Sequence, residues 1–142
     1  MRTNKWNTAL ALGLLLAVAL ACSFSASTAN IGSLGVSKDK AGSQTARAFE
    51  PGDTVYARAE IANSISTVKV KAHIAVEDVA GQPSGPIAAS ETSMDMPSSG
   101  TATFTFTPPA AGWPKGKYKV EVVMLNENGE QKDQKSASFT VE

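Results

Sequence analysis

Few side chains in this sequence are able to do covalent or metal chemistry: it holds one cysteine, Cys22, and one histidine, His73. Nucleophilic catalysis of the usual kind needs an activating base beside a serine or cysteine. Cys22 lies near the N-terminus and His73 on the wet side of a regular alternating run, so no Cys/His site is expected and no catalytic residue is assigned. One thiol and one imidazole also fall short of the closed N/S coordination of structural zinc, so no metal is expected. Glu77-Asp78 and the pair Glu91 and Asp95 are the carboxylates to weigh as general acid and base. Neighbours along a strand point to opposite faces, and a solvated role is the expectation for both pairs.

Asn126-Glu127-Asn128-Gly129-Glu130 offers oxygen ligands but lacks the leading acidic positions and the spaced terminal glutamate of a calcium loop. A hairpin turn accounts for it. The glycines stand singly in turns rather than in a phosphate-cradling loop, so neither a nucleotide nor any other cofactor is expected. What remains is recognition chemistry: two Lys-x-Lys pairs, Lys69 with Lys71 and Lys117 with Lys119, and the loop tryptophan Trp113. A flat ring at Trp113 would stack on a sugar or anchor a partner if exposed; the Trp-Pro pair ahead of a strand also fits a cap on one end of the core.

The elements that must position these residues are strands. Period-two alternation, the mark of strands with one buried and one wet face, runs through most of the chain. In 54–62, Val55, Ala57, Ala59 and Ile61 share one face; in 68–76, Val68, Val70, Ala72, Ile74 and Val76 alternate with Lys69, Lys71, His73 and Ala75. Weaker strands are expected over 31–36 and 45–49, and a less regular one over 87–96. Residues 101–107 place Ala102, Phe104 and Phe106 inward, and 117–125 place Tyr118, Val120, Val122 and Met124 inward. The last strand closes on Ala137, Phe139 and Val141. Turn signals at Pro51-Gly52, Gly81-Gln82-Pro83 and Pro97-Ser98-Ser99-Gly100, with Asn128-Gly129 before the last strand, separate about seven strands. The expected fold class is all-β, a seven-stranded antiparallel sandwich of Greek-key type.

Ahead of these strands, residues 1–8 carry Arg2 and Lys5 and no acid, and 9–21 are Ala, Leu, Val and one Gly. A basic start followed by an apolar run reads as a secretory signal peptide over 1–21. Thirteen helical residues reach only about 20 Å, short of a ~30 Å hydrocarbon core. Val18-Ala19-Leu20-Ala21-Cys22 resembles the lipobox of bacterial lipoproteins, with Ala19 where leucine is usual and Leu20 where a small residue is usual. The resemblance implies a lipid on Cys22, and hence a membrane-anchored lipoprotein of the bacterial cell envelope, periplasmic or surface-facing. Small-x-small cleavage at Ala19-Leu20-Ala21 is the alternative, releasing a soluble secreted chain. Residues 22–30 read as the lipidated cysteine and a polar tether, and 31–142 as the domain.

The stretches Phe104-Thr105-Phe106-Thr107-Pro108, Trp113-Pro114-Lys115-Gly116-Lys117-Tyr118 and Ala137-Ser138-Phe139-Thr140-Val141 resemble immunoglobulin-like domains of bacterial exported proteins. The resemblance implies a sandwich of Ig-like or fibronectin-III-like type, without the inter-sheet disulfide of antibody domains. It implies a structural tyrosine corner at Gly116 and Tyr118. It also implies that the third and sixth strands adjoin, which would gather Lys69, Lys71, Lys117 and Lys119 on one wet face as a candidate binding surface, to which Trp113 is added separately as a loop aromatic.

The chain has 13 basic and 13 acidic side chains, and loss of Arg2 and Lys5 with the leader leaves it slightly acidic. That balance argues against nucleic acid as a partner. The expected function is non-catalytic: an Ig-like module that binds an envelope protein or glycan. An accessory subunit of an envelope assembly is the alternative, and an enzyme built from loops a remote third.

Overall fold

The computed structural model describes residues 28–142, so the signal segment 1–21, Cys22 and most of the tether lie outside the described residues. The described chain forms nine strands: β1 (Asn30–Ser37), β2 (Ala48–Phe49), β3 (Val55–Ala62), β4 (Val68–Val79), β5 (Gly85–Pro86), β6 (Thr92–Met96), β7 (Gly100–Phe106), β8 (Gly116–Leu125) and β9 (Gln131–Val141). A single 3₁₀ turn, Ala88–Ser90, interrupts them.

Two sheets face each other as a β-sandwich. The smaller has the order β1-β3-β7; the larger runs β2-β9-β8-β4, with β5 and β6 sharing the far edge of β4. All pairings are antiparallel except β2 with β9, where Ala48 and Phe49 run parallel to Thr140 and Val141. Each alternating run turns one side to the interior: Val55, Ala57, Ala59 and Ile61 from β3, Val70, Ala72 and Ile74 from β4, Val120, Val122 and Met124 from β8 are all buried. Burying one such valine or isoleucine contributes roughly 1.5–3 kcal/mol, against about 0–1 for an exposed ion pair. The two inner rows therefore hold the sandwich together.

The expected strand over 87–96 is broken. Pro86 stands opposite Ala75, and beyond it the chain turns, so that the Ser90 hydroxyl accepts from the Ile74 N–H at 2.9 Å and donates to the Ile87 carbonyl at 2.6 Å. A side chain that satisfies the neighbouring backbone in this way replaces a ladder bond and lets the strand lapse. Ala75, expected on the wet face, is also buried under this crossing. At the start of the domain the strand begins at Asn30, and Ala29 is already buried, one residue deeper into the expected tether.

The hairpin between β8 and β9 forms as its Asn-Gly turn requires. Gly129 has φ 79°, and the Asn126 side-chain carbonyl accepts from the N–H groups of Asn128 and Glu130.

Candidate interaction surface

β4 and β8 are neighbours, but their register keeps the two Lys-x-Lys pairs apart. Lys69 lies opposite Leu125 and Lys71 opposite Val123, whereas Lys119 lies opposite Ala75 and Lys117 opposite Asp78. Four strand positions separate the rows of Lys71 and Lys119, about 13 Å at ~3.3 Å per residue. Carboxylates intervene: Lys69 pairs with Asp95 at 3.7 Å, Lys71 with Glu91 at 3.3 Å and Lys119 with Glu121 at 2.7 Å. The expected stripe of four ammonium groups is therefore a mosaic of alternating charge, and Lys117 alone of the four has no ion pair among the described residues. An antiparallel register places such pairs at opposite ends of a shared face, and alternation within each strand carries no information on that register.

Between the two ends, His73 faces Glu121 with Nε2 2.7 Å from Oε2, while Lys119 reaches the other carboxylate oxygen. The Lys119 ammonium, with His73 as a second partner, holds the Glu121 carboxyl below its ordinary range, and Glu121 in turn raises Lys119. A carboxylate stabilised as the anion and occupied at both oxygens is poorly placed to shuttle a proton. Ser138 donates to Glu77 at 2.9 Å beside them. Apart from Lys117, the charged groups at the centre of this face are paired with one another, beside an open depression of about 400 Å³ lined by Glu77, Ser84, Lys119 and Glu121.

Trp113 is not an exposed loop ring. It is buried, its indole N–H donates to the Asp53 carbonyl at 2.9 Å and its backbone N–H to Pro51 at 2.7 Å. The ring stands edge-on to Tyr118, which stacks on Phe139 with centroids 5.4 Å apart, and Phe139 meets Phe49 edge-on. The Tyr118 hydroxyl donates to the Pro114 carbonyl at 2.5 Å, and burial raises its pKa. Gly116 allows this close corner: its φ is 149°, and a Cβ there would lie 2.5 Å from the Asp78 carbonyl oxygen. These aromatic residues serve packing.

On the other side the two sheets approach each other through β1 and β9, the latter covered by β2 only at Thr140 and Val141. At one end Asp133 closes the seam by accepting from the Ile31 N–H at 2.8 Å. At the other the chain crosses from sheet to sheet: Ala46 donates to the Val36 carbonyl, and the Arg47 carbonyl accepts from Thr140. Between these ties lies a groove of about 750 Å³ lined by Leu34, Val36, Arg47 and Ser136 with smaller residues. Leu34, Ala46 and Ala137 form its apolar floor, packed against the core.

Both walls of the groove have unused backbone groups. The Thr140 N–H points away from β8, the register of β9 is unbroken from Asp133 to Val141, and alternate residues of a strand aim their peptide groups the same way. Ser138 and Ser136 therefore turn N–H and C=O toward the groove, as Leu34 does from β1, two positions from Val36. The same register puts Asp133, Lys135 and Ala137 on the inner row of β9, opposite Met124, Val122 and Val120. Sequence reasoning missed this place. Its one signal was the pair of charges, Asp133 and Lys135, in the inner row of a strand that turns apolar only at Ala137.

Among the described residues no group of three or more His, Cys, Asp or Glu side chains is arranged to hold a metal ion. Likewise no described helix is long and apolar enough to cross a membrane.

No family model matches the sequence, and no curated protein matches it. Among solved structures the chain is similar to a family 76 glycoside hydrolase from a bovine Bacteroides thetaiotaomicron strain, at 14% identity and TM-score 0.46, over 78% of this chain and 20% of that one. It is similar to a Niemann-Pick type C2 protein from Japanese carpenter ant, at 14% identity and TM-score 0.45, over 80% of this chain and 92% of the other. The sporulation control protein Spo0M from Bacillus subtilis follows at 15% identity and TM-score 0.36, over 79% of this chain and 50% of that one. The chain thus spans about a fifth of the hydrolase and half of Spo0M. Likeness at this level carries no information on activity or ligand.

Proposed function

We propose that the protein is a non-catalytic lipoprotein of the bacterial cell envelope, tethered through Cys22, whose Ig-like sandwich recognises an envelope protein or glycan. The signal-like run 1–21 and the lipobox-like Val18-Ala19-Leu20-Ala21-Cys22 support the anchor. The strand orders β1-β3-β7 and β9-β8-β4 support an Ig-like or fibronectin-III-like arrangement. The observation that carries recognition is the seam between β1 and β9: a groove with an apolar floor and unpaired backbone groups, whereas Lys69, Lys71 and Lys119 on the larger sheet's outer face are each paired with a carboxylate. Unpaired peptide groups beside apolar surface are what a binding partner completes.

The open edge of β9 also favours a second reading, an accessory subunit of an envelope assembly that joins its neighbours edge to edge.

Mild cross-linking in intact envelopes, followed by purification, tests the recognition reading. Recovery of a stoichiometric partner in place of a ladder of this chain's own oligomers is the expected result; recovery of neither sinks both readings. Intact mass of the membrane-fraction protein tests the anchor. Lipid mass on a chain starting at Cys22, absent in Cys22→Ser, is expected, and an unmodified soluble chain overturns it.

A further inference from the structure

Resting on the recognition reading, the geometry points to one class of partner for the seam: an extended, acidic peptide segment that adds as a strand to the open edge of β9 and lies against Leu34, Ala46 and Ala137.

The edge already accepts a strand. β2 pairs in parallel with Thr140 and Val141, and the pairing stops after two residues. Immediately before it along β9, Ser138 and Ser136 continue the same line of outward N–H and C=O groups without a partner among the described residues. An incoming strand would occupy the next positions along the edge that β2 uses. Ser136, Ala137 and Ser138 are small, so along this stretch of β9 the lining side chains leave the backbone edge accessible, while Leu34, Val36 and Arg47 form the remainder of the groove. Main-chain bonds would supply affinity and the alternate side chains of the peptide its specificity, those on one side meeting the apolar floor.

Charge selects the partner. Lys135 lies on the inner row of β9 but is exposed, and it adjoins the groove-lining Ser136 in the chain. Arg47 lines the groove and is exposed as well. Neither is in an ion pair among the described residues, whereas Lys69, Lys71 and Lys119 on the larger sheet each have a carboxylate. An inward lysine on an edge strand discourages pairing with an uncharged strand, including the same edge of a second copy. A carboxylate on the incoming strand reverses that penalty, and opposite charges in the groove add to the encounter rate.

The test is selection of a random-peptide phage library on the purified protein, with amide chemical-shift mapping of the enriched peptides. Enrichment of acidic sequences with alternating apolar positions, and shifts concentrated at residues 134–138 and 34–36, are expected. Arg47→Glu with Lys135→Glu should weaken these peptides at least about tenfold, and Ser136→Pro, which removes an edge N–H that the fold does not use, should abolish binding. Because the charge-reversal variant alters only exposed side chains, it keeps the test independent of any folding defect in the proline variant. Peptides that bind regardless of both variants overturn the assignment, as does enrichment of basic or non-extended sequences. If the envelope partner cross-links equally well to wild type and to both variants, the recognition reading stands and the seam is excluded. If neither peptides nor an envelope partner are recovered, recognition itself fails.

Discussion

The two halves of β9 belong to the same strand and follow opposite rules. Its C-terminal half is held on both sides, by β8 and by β2, and buries Phe139 and Val141 within the aromatic corner of Phe49, Trp113 and Tyr118. Its N-terminal half pairs only with β8, puts Asp133 and Lys135 on the inner row, and borders the groove. A strand is made rigid by filling its inner row and closing both edges, and made available by leaving one of each incomplete. The comparison separates the part of the molecule that carries stability from the part open to a partner.

The largest effect should follow from emptying the closed half. Phe139→Ala removes the ring that touches both Tyr118 and Phe49. It should cost about 3–5 kcal/mol, read as a lower denaturation midpoint at unchanged m-value. Gly116→Ala comes next, since its Cβ would enter the space of the Asp78 carbonyl and of Val79 at a φ that L-residues rarely adopt. A loss above about 1 kcal/mol is expected. A loss near zero in either variant would show that the corner does not anchor the strand.

The corner's residues could be named from sequence because alternation and turn chemistry are local. Val70, Ala72 and Ile74 in β4, or Val120, Val122 and Met124 in β8, announce their buried face by period two alone. Trp113 was ambiguous for a physical reason: its burial depends on the Asp53 and Pro51 carbonyls, some sixty positions earlier in the chain, which accept its two N–H groups. The lysine stripe failed at the next level. Which strands adjoin was inferable by resemblance, but how far one slides past the other was not, and the slide sent Lys71 and Lys119 to different rows. The seam is harder still, because it exists only where β1 and the part of β9 that β2 leaves uncovered, strands of different sheets, fall side by side.

A smaller effect, with a defined pH signature, is expected at the paired charges of the larger sheet. Glu121→Gln removes a carboxylate whose folded pKa lies below its ordinary value of 4.5, chiefly through Lys119 and secondarily through His73. A depressed acid stabilises the fold above the unfolded pKa and loses that contribution as pH falls through the folded one. Wild type should therefore exceed the variant near neutral pH, and the two should converge in acid. Added salt should narrow the neutral gap, since such pairs are screened. A gap that persists unchanged into acid would assign the effect to packing rather than charge.

The smallest effect on stability should come from the open half, and it is the most informative. Lys135→Val replaces an exposed side chain, so the stability should change by less than about 0.5 kcal/mol. What should change is association. With Lys135 gone, the edge from residues 134 to 138 presents unpaired N–H and C=O groups beside an inner row whose one remaining charge is Asp133, with Arg47 across the groove. Sedimentation velocity should then show self-association that grows with protein concentration, while wild type at the same concentrations does not shift. Lys135→Glu supplies the matched control: it keeps a charge on the edge, and two copies would again meet with like charges. Association by the valine variant and not by the glutamate variant would locate the availability of β9 in its backbone and its selectivity in one side chain. Equal behaviour of all three proteins would mean that β1, across the groove, already shields the edge.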